Sequence, residues 1–324
     1  MYLMLRRILV IFFIASVTSP ITLCAQNYPS KPIRLIVPFP AGGGVDVIAR
    51  IIGPKLSESL GHQVIVDNRA GGGTIIGTEA LAKSPPDGYT MMIANSAFGA
   101  NPALHAKLPY DTVRDFAPVS LVVMFPCILA VHPSFPARNV GELIGLAKAT
   151  PGKLSYASAG TGSYIHLAME LFKSVAGVSI VHVPYKGANL ALNDLLGGQI
   201  PMMFVTGQLG IPYIKAGRLR ALAVTSAKPM PLLPDVPTVA QSGYPGFELD
   251  DWEGIIVPAG TPTPIVARLN AEINQIVSSA EVRARMSGLG ATPAGSTPGQ
   301  LGERIKTELA KWATVVKEAG IVVD

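Results

Sequence analysis

Cysteine is almost absent from this chain of 324 residues, with only Cys24 and Cys127 present. If the N-terminal segment is removed, no intramolecular disulfide remains possible, so the fold must be held by its core. Charge is sparse too, at 15% of residues, and Lys and Arg cluster on no single element, which excludes an obvious nucleic-acid surface. Beyond the first 25 residues no apolar run approaches the ~20 residues of a spanning helix. The five histidines, His62, His105, His132, His166 and His182, show neither H-x-x-x-H spacing nor a cysteine partner, so no metal centre is expected. The Gly-Lys-Ser/Thr of a P-loop and the G-x-S-x-G of a nucleophile elbow are missing. AGGGVDVIA lacks the spacing of a dinucleotide fingerprint, although Asp67 stands near the distance at which such a site places an acid. No cofactor is expected, and no enzymatic constellation emerges.

Apolar residues, in contrast, make up 49% of the chain, and 33 Gly and 28 Pro punctuate it. Met1 to Ala25 carries Arg6 and Arg7, then an apolar run from Ile8 to Val17, then SPITLCAQ. These are the parts of a secretory leader, with cleavage expected after Ala25 and a periplasmic destination. Cys24 raises lipidation, but Leu23 is bulky where a lipobox has a small residue, and the Arg pair carries nothing else of a twin-arginine motif. Of the 26 basic residues Arg6 and Arg7 leave with the leader, so 24 face 21 acidic ones, a net charge of +3.

Short β-branched runs alternate with helical spacings. Arg34 to Pro38, Gln63 to Val66, Thr90 to Ala94, Ile128 to Val131, Ile180 to Val183 and Leu219 to Val224 read as buried strands. Val45, Ile48, Ile52 and Leu56, and later Leu167, Leu171 and Val175, read as helix faces. Such alternation predicts an α/β fold with mostly parallel sheets, and the length favours two domains. The runs from Cys127 to Pro136 and from Trp252 to Pro262 look like two crossing hinge strands. The expected division is a leader over 1–25, a discontinuous first domain over 26–126 and 254–324, and a second over 127–253. Helices opening at Thr263 and Thr297 should pack back on the first domain.

Each expected domain contains a strand, a loop of small residues and a helix start. One is IRLIVPFPAGGGVDVIAR, with a helix from near Asp46; the other is KLSYASAGTGSYIHLAMELF, with a helix from near Ser163. A helix start offers unbonded N–H groups and the positive end of the dipole, which suit a carboxylate or phosphate. One such loop is weak, but two facing across a crevice would grip an anion from both sides, on strands that also act as a hinge. His166 either lines that cleft or serves as a structural hydrogen-bonder. Asn95 and Ser96 end a strand at the same edge, as do Tyr185 and Lys186. Asn68 and Arg69 reach the cleft or order the loop behind them, with Arg69 read as structural.

The strings YPSKPIRLIVPFPAGGGVDVIAR, VDNRAGGG, PPDGYTMMI, NPALHAKLPYD, LSYASAGTGSYIHLAMELF, VPYKG, IKAGRLRALAVTS and LLPDVPTVAQSGYPGFE, spread from Tyr28 to the C-terminus, closely resemble the Bug family, the TctC-like substrate-binding receptors of tripartite tricarboxylate transporters. The resemblance implies a monomeric periplasmic two-domain receptor of the type II Venus-flytrap kind. Its ligand would be a small organic acid, and its partners the membrane permease subunits of the transporter or, alternatively, a sensor-kinase ectodomain. Carried over by motif, ligand contacts through backbone amides fall on Phe39, Ala41, Gly42 and Gly43 in one loop and on Ser158, Thr161, Gly162 and Ser163 in the other. One departure stands out. The family pattern V-D-L-M-F-D gives way to IPMMFVTGQ, which puts Pro201 and Val205 where acids are expected. Without that acid an ammonium group loses a partner, so an amino acid ligand is disfavoured against an apolar, aromatic or dicarboxylic one. Val205 and Thr206 would shape the distal end. An exported enzyme on small acids remains the least supported reading, since no acid–base pair is evident.

Overall fold

The computed structural model describes residues 28–319, so the leader expected over 1–25 lies outside the described residues. Two sheets are joined through one long strand, β4 (Phe116–Val131). In the first, β1 (Ile33–Val37) lies between β2 (Val64–Asn68) and β3 (Thr90–Asn95), all parallel. The strand β9 (Asp250–Pro258) then inserts antiparallel between β3 and β4, and the short β10 (Thr292–Pro293) also pairs with β4. Residues 127–131 of β4 belong to the second sheet, antiparallel to β7 (Met202–Thr206) and β8 (Arg220–Val224). There β5 (Ser155–Ser158) runs parallel to both β7 and β6 (Val181–Pro184). The sheets are thus parallel away from the crossing strands and antiparallel at them.

The sequence pattern points to a strand only from Ile128, because Pro118 and Pro126 interrupt the run before it. The structure accommodates both prolines. The register with β9 slips between Pro118 and Ser120, where a missing N–H breaks no regular ladder. Pro126 stands where β4 exchanges its β9 partner for β7. A single strand of 16 residues therefore runs through both lobes.

One core lies between the first sheet and three helices, α1 (Gly44–Leu60), α8 (Thr263–Ser278) and α9 (Ala280–Gly288); Ile48, Ile52 and Leu56 meet Leu269 and Ile273 there. On the opposite face Phe98, Trp252 and Leu301 form another, with α2 (Ile75–Ala82) and α3 (Ser96–Leu104). The second lobe buries a third, around Phe172, Phe204 and Leu222, with α4 (Val140–Ala149), α5 (Tyr164–Ala176), α6 (Ala188–Leu196) and α7 (Gly207–Lys215). The final helix, α10 (Pro298–Ala319), contributes Leu301 and Ile305 to the first lobe but Trp312 and Val316 to the core of the second. Its approach to α3 depends on Gly99, where a Cβ would sit 2.9 Å from that of Glu308. Each full burial of a Leu or Ile side chain in these cores contributes about 1.5–3 kcal/mol.

Candidate functional site

Between the two lobes lies a cavity of about 400 Å³, walled by both strand–loop–helix units and floored by β9. Four helices begin at its wall, and none has a side-chain cap. Their N-caps are Gly43 for α1, Ser163 for α5, Gly187 for α6 and Thr206 for α7, and all four residues line the cavity. The hydroxyls of Ser163 and Thr206 have no protein partner although both are buried. Helix α3 differs, because the Asn95 side chain accepts from the Ala97 N–H. Elsewhere α4 and α9 are capped by Asn139 and Ser279. Two further helices, α2 at Thr74 and α8 at Pro262, also start without a side-chain cap away from the cavity, but the four at its wall converge where an anion would profit from them.

Of the residues expected from the sequence, Phe39, Ala41, Gly43, Asn95, Ser163, Val205 and Thr206 line this cavity. Gly42, Ser158, Thr161, Gly162 and His166 stand outside the lining, and for most of them the reason is visible in the hydrogen bonds. The Gly42 N–H donates to Asp46 at 2.8 Å, and Asp46 also accepts from Arg50 at 2.8 Å and from Asn68 at 2.9 Å. Asn68 donates in addition to the Phe39 carbonyl at 3.0 Å, so it orders the loop from behind, while Arg69 pairs with Asp67 at 2.7 Å. Burial raises the Asp46 pKa, but the bonds from Arg50, Gly42 and Asn68 outweigh it and hold the carboxyl below its usual value.

The second loop is fastened by uncharged groups instead. The Gly160 N–H donates to Ser158 Oγ at 3.1 Å, and the Gly162 N–H to His166 Nδ1 at 3.2 Å. The Ser163 N–H is bonded to the Gly160 carbonyl. Ser158 Oγ also lies 2.6 Å from Nε2 of His182, whose ring stacks on that of His166 at 4.1 Å. Burial pushes both imidazoles down to about 4, with their mutual repulsion adding to it for His166. The 4.0 Å approach of His166 Nε2 to Glu170 is therefore a contact of a neutral ring at neutral pH, not an ion pair. Glu170 takes its cation from Lys173 at 2.7 Å and accepts the Tyr156 hydroxyl.

Several cavity residues were not singled out as ligand contacts from the sequence. Asp251 and Glu253 come from β9, where alternation puts them on one face and Trp252 on the other, in the core. Asp251 accepts from the N–H groups of Ser96 at 3.1 Å and Trp252 at 2.9 Å. Burial pushes it up to about 7 against those bonds. Glu253 is 0% exposed, neither of its oxygens has a partner, and burial, then the Asp251 charge, raises it well above the usual range. Acids on both sides of a Trp at the head of an apolar run, DDWEGIIV, were the signal that could have found them. Lys186 lines the rim and is exposed, whereas the Tyr185 hydroxyl turns to Asp194 at 2.7 Å.

The lobes touch across the cleft. Asn189 of the second donates to the Ala41 carbonyl of the first at 3.4 Å. Gly187, at φ +125°, suits glycine, and a Cβ there would crowd Pro40 at 3.0 Å.

A family model described as "Tripartite tricarboxylate transporter family receptor" matches residues 48–321. A UPF0065 protein from the tcbD-tcbE intergenic region of Pseudomonas sp. (strain P51) is 43% identical over 317 residues, 97% of this chain and 94% of that one. Protein BugT of Bordetella pertussis is 39% identical over 308 residues, 94% of each chain. Among solved structures, R. palustris Rpa4515 with adipate superposes with a TM-score of 0.88 at 38% identity, over 91% of this chain and 99% of that one.

Proposed function

The chain belongs to the tripartite tricarboxylate transporter receptor family, and on that premise we propose that it is an extracytoplasmic receptor. It captures a small organic acid in the interdomain cleft and delivers it to the membrane permease of such a transporter. The family is one of periplasmic substrate-binding receptors with a two-domain α/β fold. The observation that carries the reading is the convergence of four uncapped helix starts on one cavity. A carboxylate placed there meets backbone N–H groups and four positive dipole ends without a full positive charge. In this reading the leader is removed after Ala25. The lobes are 26–126 with 254–324 and 127–253, and hinge about Pro126 and the start of β9. Phe39, Ala41, Gly43, Asn95, Ser163, Val205 and Thr206 meet the ligand, while Gly42, Ser158, Thr161, Gly162 and His166 hold the loops in shape.

The test is a thermal-shift screen of residues Gln26 to Asp324 against organic acids of different class. A ligand at about 100 times its Kd stabilises the fold by ~2.7 kcal/mol, a shift of a few degrees. A response confined to one class of acid, with the acid recovered unchanged, is the expected result. Recovery of a converted acid would instead make Asp251 and Glu253 an acid–base pair and the protein an enzyme. No response, and no acid released on denaturing extraction, would overturn the proposal.

A further inference from the structure

The cavity is polar in one direction. Its walls carry the helix starts at Gly43, Ser163, Gly187 and Thr206, and its floor carries two carboxyl groups on adjacent same-face positions of β9. Asp251 accepts two backbone N–H groups on Oδ1 and the Asn95 amide at 3.4 Å on Oδ2, whereas both oxygens of the fully buried Glu253 are without a hydrogen bond. Among the described residues Lys186 is the one basic side chain that lines the cavity, and it sits exposed at the rim. A buried carboxyl without donors is costly, by about 1–3 kcal/mol for a neutral group and more for a charged one. A group retained in that condition beside a cavity calls for a donor from the cavity itself.

We propose that Glu253, with Asp251 beside it, selects the far end of the ligand, which is an organic acid bearing nitrogen-bound hydrogens, such as an ammonium group, opposite its carboxylate. The inference rests on the receptor reading and narrows its ligand class. The carboxylate lies against the helix starts, and the nitrogen donates to Glu253. Burial keeps both floor carboxyls from ionising readily, and an arriving cation restores the charge of the one it meets. A second carboxylate in the same place would add a third acid to a floor with no cation. The loss of an acid at Val205 pointed the other way in the sequence. In the fold, however, the floor acids come from β9, so a hydrophobic residue on β7 does not leave the cavity without one.

Calorimetric titration of the mature protein with succinate, glutarate and adipate, each against the ω-amino acid of equal chain length, tests this directly. The amino member of the best-fitting pair is expected to bind about 30-fold tighter, the worth of one charge-assisted hydrogen bond. In Glu253→Gln, an isosteric change, the preference should narrow below about threefold or reverse, since the new amide donates to a carboxylate. Equal or tighter binding of the dicarboxylate by the unmodified protein overturns the proposal and leaves the receptor intact. That comparison stands whether or not the variant folds. An unchanged preference in folded Glu253→Gln also overturns it, as does binding of simple monocarboxylates alone. If no acid binds, the receptor reading fails first and takes this inference with it.

Discussion

The two loops that face the cavity arise from similar strand–loop–helix units but are fastened by opposite chemistry. The first is tied by an ionised carboxylate, Asp46, which gathers Gly42, Asn68 and Arg50. The second is tied by neutral groups, with Ser158 and the stacked pair His166 and His182 holding the amides of Gly160 and Gly162. Both arrangements leave the helix start free for a ligand. They differ in which condition undoes them: loss of a charge on one side, gain of a charge on the other.

The largest effect is expected where the helix start itself is blocked. Gly43→Asp places a carboxylate at the α1 N-cap, in the lining of the cavity, and its backbone, at φ −72°, accepts a side chain. Binding of the natural acid should fall at least ~100-fold, since repulsion replaces a dipole interaction. Circular dichroism should be unchanged. Affinity retained in that variant would remove the first loop from the site. Next comes the fastening of that loop. Asp46→Ala leaves three donors without their acceptor, and a loss of about 2–3 kcal/mol is expected in urea denaturation. A change below ~0.5 kcal/mol would mean that Asp46 does not hold the loop.

Acid then separates the two sides. His166 and His182 titrate near 6.5 when unfolded and at about 4 when folded. Between those values the unfolded chain binds protons that the folded chain excludes. Their neutral packing therefore contributes fully above pH 6.5, and stability falls as the pH drops toward 4. Asp46 behaves differently, because its folded pKa lies below the usual 3.8. Its contribution is complete above that value and is lost only at lower pH. Over the same window Asp251, pushed up to about 7, and Glu253, raised as well, favour the folded state as the pH falls. The test is therefore a difference between denaturation curves: from pH 4.5 to 7.5, a window set by the two histidine values, the unmodified protein should gain stability relative to a His166→Gln, His182→Gln double variant. Equal slopes would place the acid-sensitive groups elsewhere.

Much of this arrangement was legible because it is local. A short apolar strand, small residues and a helical spacing mark both units, and the helices begin at Gly44 and Tyr164, within two residues of the expected starts near Asp46 and Ser163. What the sequence hid is what the chain brings from afar. That the Gly42, Gly160 and Gly162 amides are bonded inward depends on Asp46, Ser158 and His166 rotamers that no motif specifies. The floor is more distant still: Asp251 meets Asn95 and Ser96 across 156 and 155 residues, because β9 inserts between β3 and β4. The prolines of β4 concealed its first half in the same way, since whether a proline ends a strand or sits at a bulge is decided by the partner strand.

The smallest effect expected belongs to the rim, where Lys186 is the cavity's basic residue and yet is exposed. Its ammonium is hydrated, and its attraction to an incoming anion is screened over about 8 Å at physiological ionic strength. An exposed charge of this kind contributes ~0.2–1 kcal/mol, so Lys186→Met should weaken binding by no more than about fivefold at low salt. The difference should vanish near 1 M salt, where screening shortens to about 3 Å. Helix starts shielded inside the cleft should keep most of their effect under the same conditions. A loss in Lys186→Met that is large and indifferent to salt would instead mean that the lysine closes over the ligand in the bound state, moving the main anion contact from the backbone of the two loops to a side chain of the second lobe.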